Sequence, residues 1–167
     1  MKFVKFIEND IVDSDDGVAV SVWFGGCPHK CKGCHNAQLW DEDCVEEIPL
    51  DNVIKELIPL INKNGIMRNL SILGGEPLAP YNRTNTALII NKVKKVYPNI
   101  KIYLWTGYTM EELKTKEIDD DIKYILSNVD VLIDGRFEID KRDITLKLRG
   151  SSNQRVFRRI NGNLQTS

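Results

Sequence analysis

Three cysteines fall within eight residues, in Cys27-Pro28-His29-Lys30-Cys31-Lys32-Gly33-Cys34, and no other feature of the chain limits its fold as strongly. Thiols bunched on one loop suit zinc, copper(I) and iron–sulfur clusters. A tetrahedral zinc site usually draws a second, distant pair of ligands, but the remaining cysteine, Cys44, stands alone. A zinc site here would need His29 or His35 to complete it. An iron–sulfur cubane normally takes four cysteines. Three would leave one iron without a protein ligand, and an open coordination position is where chemistry can happen. Both readings stand at this point.

At 167 residues, 42% hydrophobic and 28% charged, the chain reads as a single globular domain, 1–167, with enough apolar content for a core. Its first sixteen residues carry charges every few positions, and no apolar run approaches a membrane span, so a cytoplasmic location is expected. In such a reducing compartment, clustered thiols favour metal ligation over disulfides. The net charge of −1 provides no general attraction to nucleic acid or membrane.

Gly17–Phe24 is rich in β-branched and aromatic residues, as a buried strand would be, and the cysteine loop (25–36) follows it directly. Lys2–Glu8 alternates weakly and fits an edge strand. Val53, Ile54, Leu57, Ile58 and Ile61 recur at helical spacing within Leu50–Asn62, where Pro59 predicts a kink or an early end. Strands are expected over Asn69–Leu73, Ile100–Trp105 and Val129–Ile133, and helices over Asn85–Tyr97, Met110–Lys116 and Asp120–Ser127. This strand–helix alternation is the signature of a parallel sheet. Ligands of such sheets bind at the C-terminal ends of the strands. The cysteine loop, Gly74-Gly75-Glu76-Pro77, Thr106 and Asp134 all fall at those ends.

Each of these positions also has a plain structural reading. Gly-Gly before Pro is ordinary turn chemistry, although glycines at a strand end also let a ligand approach the backbone, whose carbonyls can accept from an ammonium. Thr106 and Asp134 fit turn residues closing strands. Arg136 can bind a carboxylate through its guanidinium fork. From Lys141 to Arg159, seven basic residues stand against one acid, Asp143. Solvated tail and docking strip for a partner are the alternatives. Cys44 reads as a bystander thiol.

The cysteine spacing with Gly74-Gly75-Glu76-Pro77 about forty residues on resembles the radical S-adenosylmethionine (SAM) superfamily. Within it, G-C-P-H-K-C-K-G-C-H-N, W-T-G-Y, I-D-G-R and R-G-S-S-N-Q-R are similar to segments of the activating proteins of anaerobic (class III) ribonucleotide reductase, and they extend from Val22 to Phe157. Gly33 departs from the aromatic residue common in the wider superfamily but agrees with the activating proteins.

The resemblance implies a shortened, open, partial (β/α) barrel of mainly parallel strands. It implies a [4Fe-4S] cluster on Cys27, Cys31 and Cys34, with SAM at the fourth iron. Gly74, Gly75 and Glu76 would handle the SAM amino group. Gly33, Cys34 and His35 would border its adenine or methionine half, with Thr106, Asp134 and Arg136 nearby. The implied activity is reductive cleavage of SAM, fed by a one-electron donor such as flavodoxin, followed by hydrogen abstraction from a glycine of the reductase's large subunit. The basic segment 141–167 would help to dock that partner. Activation of another glycyl-radical enzyme, a small-molecule radical SAM synthase, and a non-enzymatic iron–sulfur or zinc protein are the alternatives.

Overall fold

A computed structural model describes residues 1–116 and 119–167. Seven strands lie side by side in the order in which they occur along the chain: β1 (Phe3–Asp10), β2 (Ala19–Phe24), β3 (Asn69–Gly74), β4 (Ile102–Trp105), β5 (Val131–Asp134), β6 (Arg155–Ile160) and β7 (Asn163–Thr166). Strands β2 to β5 run parallel, while β1, β6 and β7 pair antiparallel with their neighbours. The architecture is therefore mixed α/β. Three of the six pairings are parallel, fewer than the expectation of mainly parallel strands.

The crossovers are α1 (Leu50–Ile61), α2 (Arg83–Val96), and the pair α3 (Met110–Thr115) and α4 (Asp120–Asn128). Successive side chains on a strand point to opposite faces, so one alternating set meets the helices. Val20, Val22, Phe24, Leu70, Ile72, Ile102, Leu104, Leu132 and Phe157 form the core with Val53, Leu57 and Ile61 of α1 and Ile89, Ile90 and Val93 of α2. The other set places Tyr103, Val131, Ile133 and Val156 in a second cluster on the opposite face. Pro59 lies inside α1, which runs unbroken to Ile61. It falls in the last turn, where losing one amide donor is tolerated because Leu57 and Ile61 remain anchored in the core.

The basic C-terminal segment is no tail. Residues 155–166 complete the sheet as β6 and β7. Arg159 donates to the Leu126 and Val129 carbonyls at the end of α4, and Arg158 pairs with Asp15. The charges of Arg158 and Arg159, which look free in sequence, are thus satisfied within the chain. No helix among the described residues is long and apolar enough to cross a membrane.

The segment after β1 folds over the second face. Ser71 donates to the Asp13 carbonyl, and Tyr103 donates to Asp15 at 2.9 Å. Burial, then the neighbouring Asp10 carboxylate, pushes the Asp13 carboxyl up to about 7. The folded state therefore binds a proton that the unfolded chain releases near the usual carboxylate value, so this site's contribution to stability declines as pH rises from about 4 to 7. Asp13→Asn, which keeps a donor toward Asp10, is expected to raise the melting temperature at pH 8 and to change it little at pH 4. Equal shifts at both pH values would contradict the assignment.

Candidate iron–sulfur and cofactor site

The parallel strands end at a common level, as the pairing of Phe24 with Gly74 and of Trp105 with Ile133 requires. The loops that leave those ends surround one cavity of about 170 Å³. Cys27, Cys31 and Cys34 line it, facing Leu73, Gly74, Gly75, Glu76, Thr106 and Arg136. Four motifs scattered over more than a hundred residues of sequence thus meet in space. Gly33 and His35 lie on the exposed outer side of the cysteine loop, with the His35 ring 6.3 Å from Phe137, and neither borders the cavity.

Each thiol has backbone donors. The amides of His29 and Lys30 point at Cys27, that of Phe137 at Cys31, and that of Asn36 at Cys34, the last at 3.4 Å. Without metal, burial dominates and pushes the Cys27 thiol up to about 11; it raises Cys31 as well. Iron would reverse that balance, since a coordinating thiol is deprotonated outright. The amide donors would then stabilise sulfur's negative charge, as hydrogen bonds do around iron–sulfur clusters. Donor set and surroundings fit a cluster held by three thiolates. Cys44 is not among the cavity residues; its sulfur packs beside Gly25.

Glu76 is the centre of the opposite wall. It is fully buried, and both carboxylate oxygens are saturated. Oε1 accepts from the Leu78 amide at 2.9 Å and the Thr106 hydroxyl at 2.8 Å. Oε2 accepts from the Gly107 amide at 2.7 Å and contacts His29 Nε2 at 2.9 Å. The side chain lines the cavity and also locks the tips of β3 and β4 to the cysteine loop. Thr106 is drawn into that lock. Asn82 adds a second latch, donating from its side-chain amide to the carbonyls of Gly25 and Glu76.

Gly75 is needed for close packing rather than for unusual torsions. A Cβ there would stand 2.2 Å from the Gly26 carbonyl oxygen, one residue before Cys27. Gly75→Val would therefore disturb the cysteine loop itself, not only the space for a ligand.

Asp134 and Arg136 part ways. Asp134 is fully buried, accepts from the Met110 amide at 2.6 Å, and forms an ion pair with Arg155. It holds β5 to α3 and β6, and it does not border the cavity. Arg136 does border it. Its fork is occupied by Glu112, with Nη2 3.0 Å from Oε1. The Thr109 amide and then Arg136 hold the Glu112 carboxyl below its usual range. The R-G-S-S-N-Q-R segment clamps the β5 tip: Asn153 donates to the Arg136 carbonyl at 2.8 Å and Gln154 to the Gly135 carbonyl at 3.0 Å.

Sequence reasoning treated His29 only as a possible zinc ligand and passed over Gly107. Both are central. The His29 side chain is 5% exposed; Nε2 meets Glu76, and Nδ1 accepts from Arg136 Nε at 3.2 Å. Both ring nitrogens are committed to protein groups. A Cβ on Gly107 would lie 2.3 Å from His29 Cδ2, so the ring occupies the space that this glycine leaves. The signal was the T-G-Y that directly follows a strand, but only the fold shows what fills the gap.

The family model described as a 4Fe-4S single cluster domain matches residues 14–157. The anaerobic ribonucleoside-triphosphate reductase-activating protein of phage T4 is 39% identical over 163 residues, with 97% of each chain covered. That of Pasteurella multocida is 35% identical over 160 residues, covering 95% of this chain and 98% of its own. The Escherichia coli K12 protein is 30% identical, covering 93% and 97%. The chain belongs to this family of activating proteins. The matched 4Fe-4S span takes in every residue that lines the cavity of this activating-protein family member, from Cys27 to Gln154, and leaves out all of β1, the end of β6 and all of β7. The cavity therefore lies wholly within the part that defines the family, while the edge strands are its frame.

Proposed function

We propose that this chain activates an anaerobic ribonucleotide reductase by generating a glycyl radical on the reductase's large subunit. Three thiols furnished with amide donors, lining one cavity without a fourth cysteine, carry the reading. Cys27, Cys31 and Cys34 would hold a [4Fe-4S] cluster and leave one iron for SAM. When bound, the pair supplies one-electron reductive cleavage of the SAM carbon–sulfur bond, giving methionine and a 5′-deoxyadenosyl radical that takes a hydrogen atom from glycine to become 5′-deoxyadenosine.

The chain's own part is binding and enclosure. Gly74 and Gly75 form a wall without side chains against which the methionine end fits. Three of the five N–H groups of Arg136 are engaged by His29 and Glu112; two remain, one on each terminal nitrogen at opposite edges of the planar guanidinium, and one of these would meet the cofactor's carboxylate. A seven-stranded sheet whose two edge strands are β1 and β7 suits the open, partial barrel of the radical SAM type. Such a site needs another surface to exclude water, and the glycine-bearing loop of the reductase would provide it. A donor such as flavodoxin would deliver the electron.

Anaerobic mixing of the cluster-loaded protein, SAM, reductant and the reductase, followed by electron paramagnetic resonance, tests this. A glycyl doublet on the reductase is the expected result, absent when the loop glycine is replaced by Ala. Vigorous SAM cleavage with conversion of a small molecule and no radical on the reductase would overturn the assignment.

A further inference from the structure

We infer that His29 is a positioning residue that sets the Arg136 guanidinium at the cavity and so governs affinity for the cofactor's methionine end. The inference rests on the activating reading above but assigns a role to a side chain outside the thiols and glycines.

The geometry dictates the tautomer. Glu76 is a carboxylate whose oxygens already accept from Leu78, Thr106 and Gly107, so the nitrogen beside it must donate. His29 Nε2 therefore carries the proton. Nδ1 is left with a lone pair, and the Arg136 Nε–H points at it from 3.2 Å. Each ring nitrogen has a partner of the right polarity. Gly107 leaves room for the ring on one side, and Tyr108 meets it edge-on with centroids 4.6 Å apart on the other. A ring held this tightly has one orientation.

The consequence falls on Arg136. Its side chain is 44% exposed, and without restraint a long side chain of that exposure would sample many rotamers. Glu112 grips the far edge of the guanidinium and His29 grips Nε, which fixes the plane and with it the direction of each remaining N–H. Because His29 also belongs to the cysteine loop and bonds Glu76, the position of Arg136 is tied to the loop that bears the thiols. Loss of the His29 bond leaves the thiols in place but frees the guanidinium.

Two measurements test this, one of them independent of the cluster. In the metal-free protein, side-chain nitrogen NMR should show His29 with a protonated Nε2 and an unprotonated Nδ1, and a protected Arg136 Nε–H signal that disappears in His29→Phe. In the cluster-loaded protein, His29→Phe should keep its iron and sulfide while its SAM affinity falls about tenfold, the size of one lost hydrogen bond to a charged group. His29→Gln, which restores one polar contact, should recover part of that loss. His29→Phe combined with Arg136→Ala should bind SAM no more weakly than Arg136→Ala alone, because both act through one guanidinium.

Unchanged SAM affinity in His29→Phe, or effects that multiply in the double variant, would overturn the inference. So would loss of iron from both His29 variants in proportion to lost SAM binding, which would make the residue a support of the cysteine loop alone. A cluster-loaded wild-type protein with no affinity for SAM would sink the activating reading itself and is distinguishable from all of these.

Discussion

Cys31→Ala is expected to abolish iron retention and SAM cleavage together, and Cys27→Ala and Cys34→Ala to do the same. Each sulfur lines the one cavity and has its own amide donors, so no neighbouring group is placed to substitute for it. A cubane held by three thiolates would lose a third of its protein anchorage with any one of them. Cys44→Ala is the contrast: its sulfur packs against Gly25, outside the cavity lining, and iron content should remain close to wild type. Iron and sulfide analysis of protein prepared without air decides the matter. Loss of iron from Cys44→Ala as complete as from Cys31→Ala would defeat the three-thiolate site.

Glu76→Gln is expected to destabilise the fold by about 3 kcal/mol, although it changes a single atom type. All four contacts of the carboxylate are with donors or with a ring nitrogen that must donate, from Leu78, Thr106, Gly107 and His29. An amide turns one of the two acceptor oxygens into a donor and sets it against two of those groups in a fully buried site. Leaving buried donors unpaired costs about 1–3 kcal/mol each, and breaking one side of a buried charged network about 3–5 kcal/mol. For a chain of this length that corresponds to a drop of roughly 6–12 °C in melting temperature. Thermal unfolding of the two proteins side by side is the check. A shift below about 2 °C would mean that water or movement relieves the conflict, and that Glu76 is not the lock between the strand tips.

The thiols stand out through type and spacing alone, although spacing leaves a zinc site and an iron–sulfur cluster both open. Glu76 was legible as a residue at a strand end, but its structural lock was not. Its four partners come from segments up to 47 positions away, and no local pattern reveals that they will saturate the carboxylate. Asp134 is similar: a residue at a strand end reads as ligand or turn with equal ease until Arg155 is brought beside it.

The strands of the parallel core were visible because each is a short apolar run, and the helices because burial of one face repeats every three or four residues, as Val53, Leu57 and Ile61 show. The two C-terminal strands were not visible. Arg155-Val156-Phe157-Arg158-Arg159-Ile160 reads as a basic strip, since the acids that neutralise it, Asp134, Glu111 and Asp15, lie elsewhere in the chain.

By itself, then, the sequence determined the cysteine loop, the alternation of strands and helices, and the placing of glycine-rich turns at strand ends, because spacing, periodicity and turn chemistry are local properties. Only the tertiary structure decided which polar groups face the cavity and which are spent on holding it together. That division depends on which side chains meet across distant loops, as His29 meets Glu76 and Arg136, and a buried charge must take whatever partners the fold delivers to it.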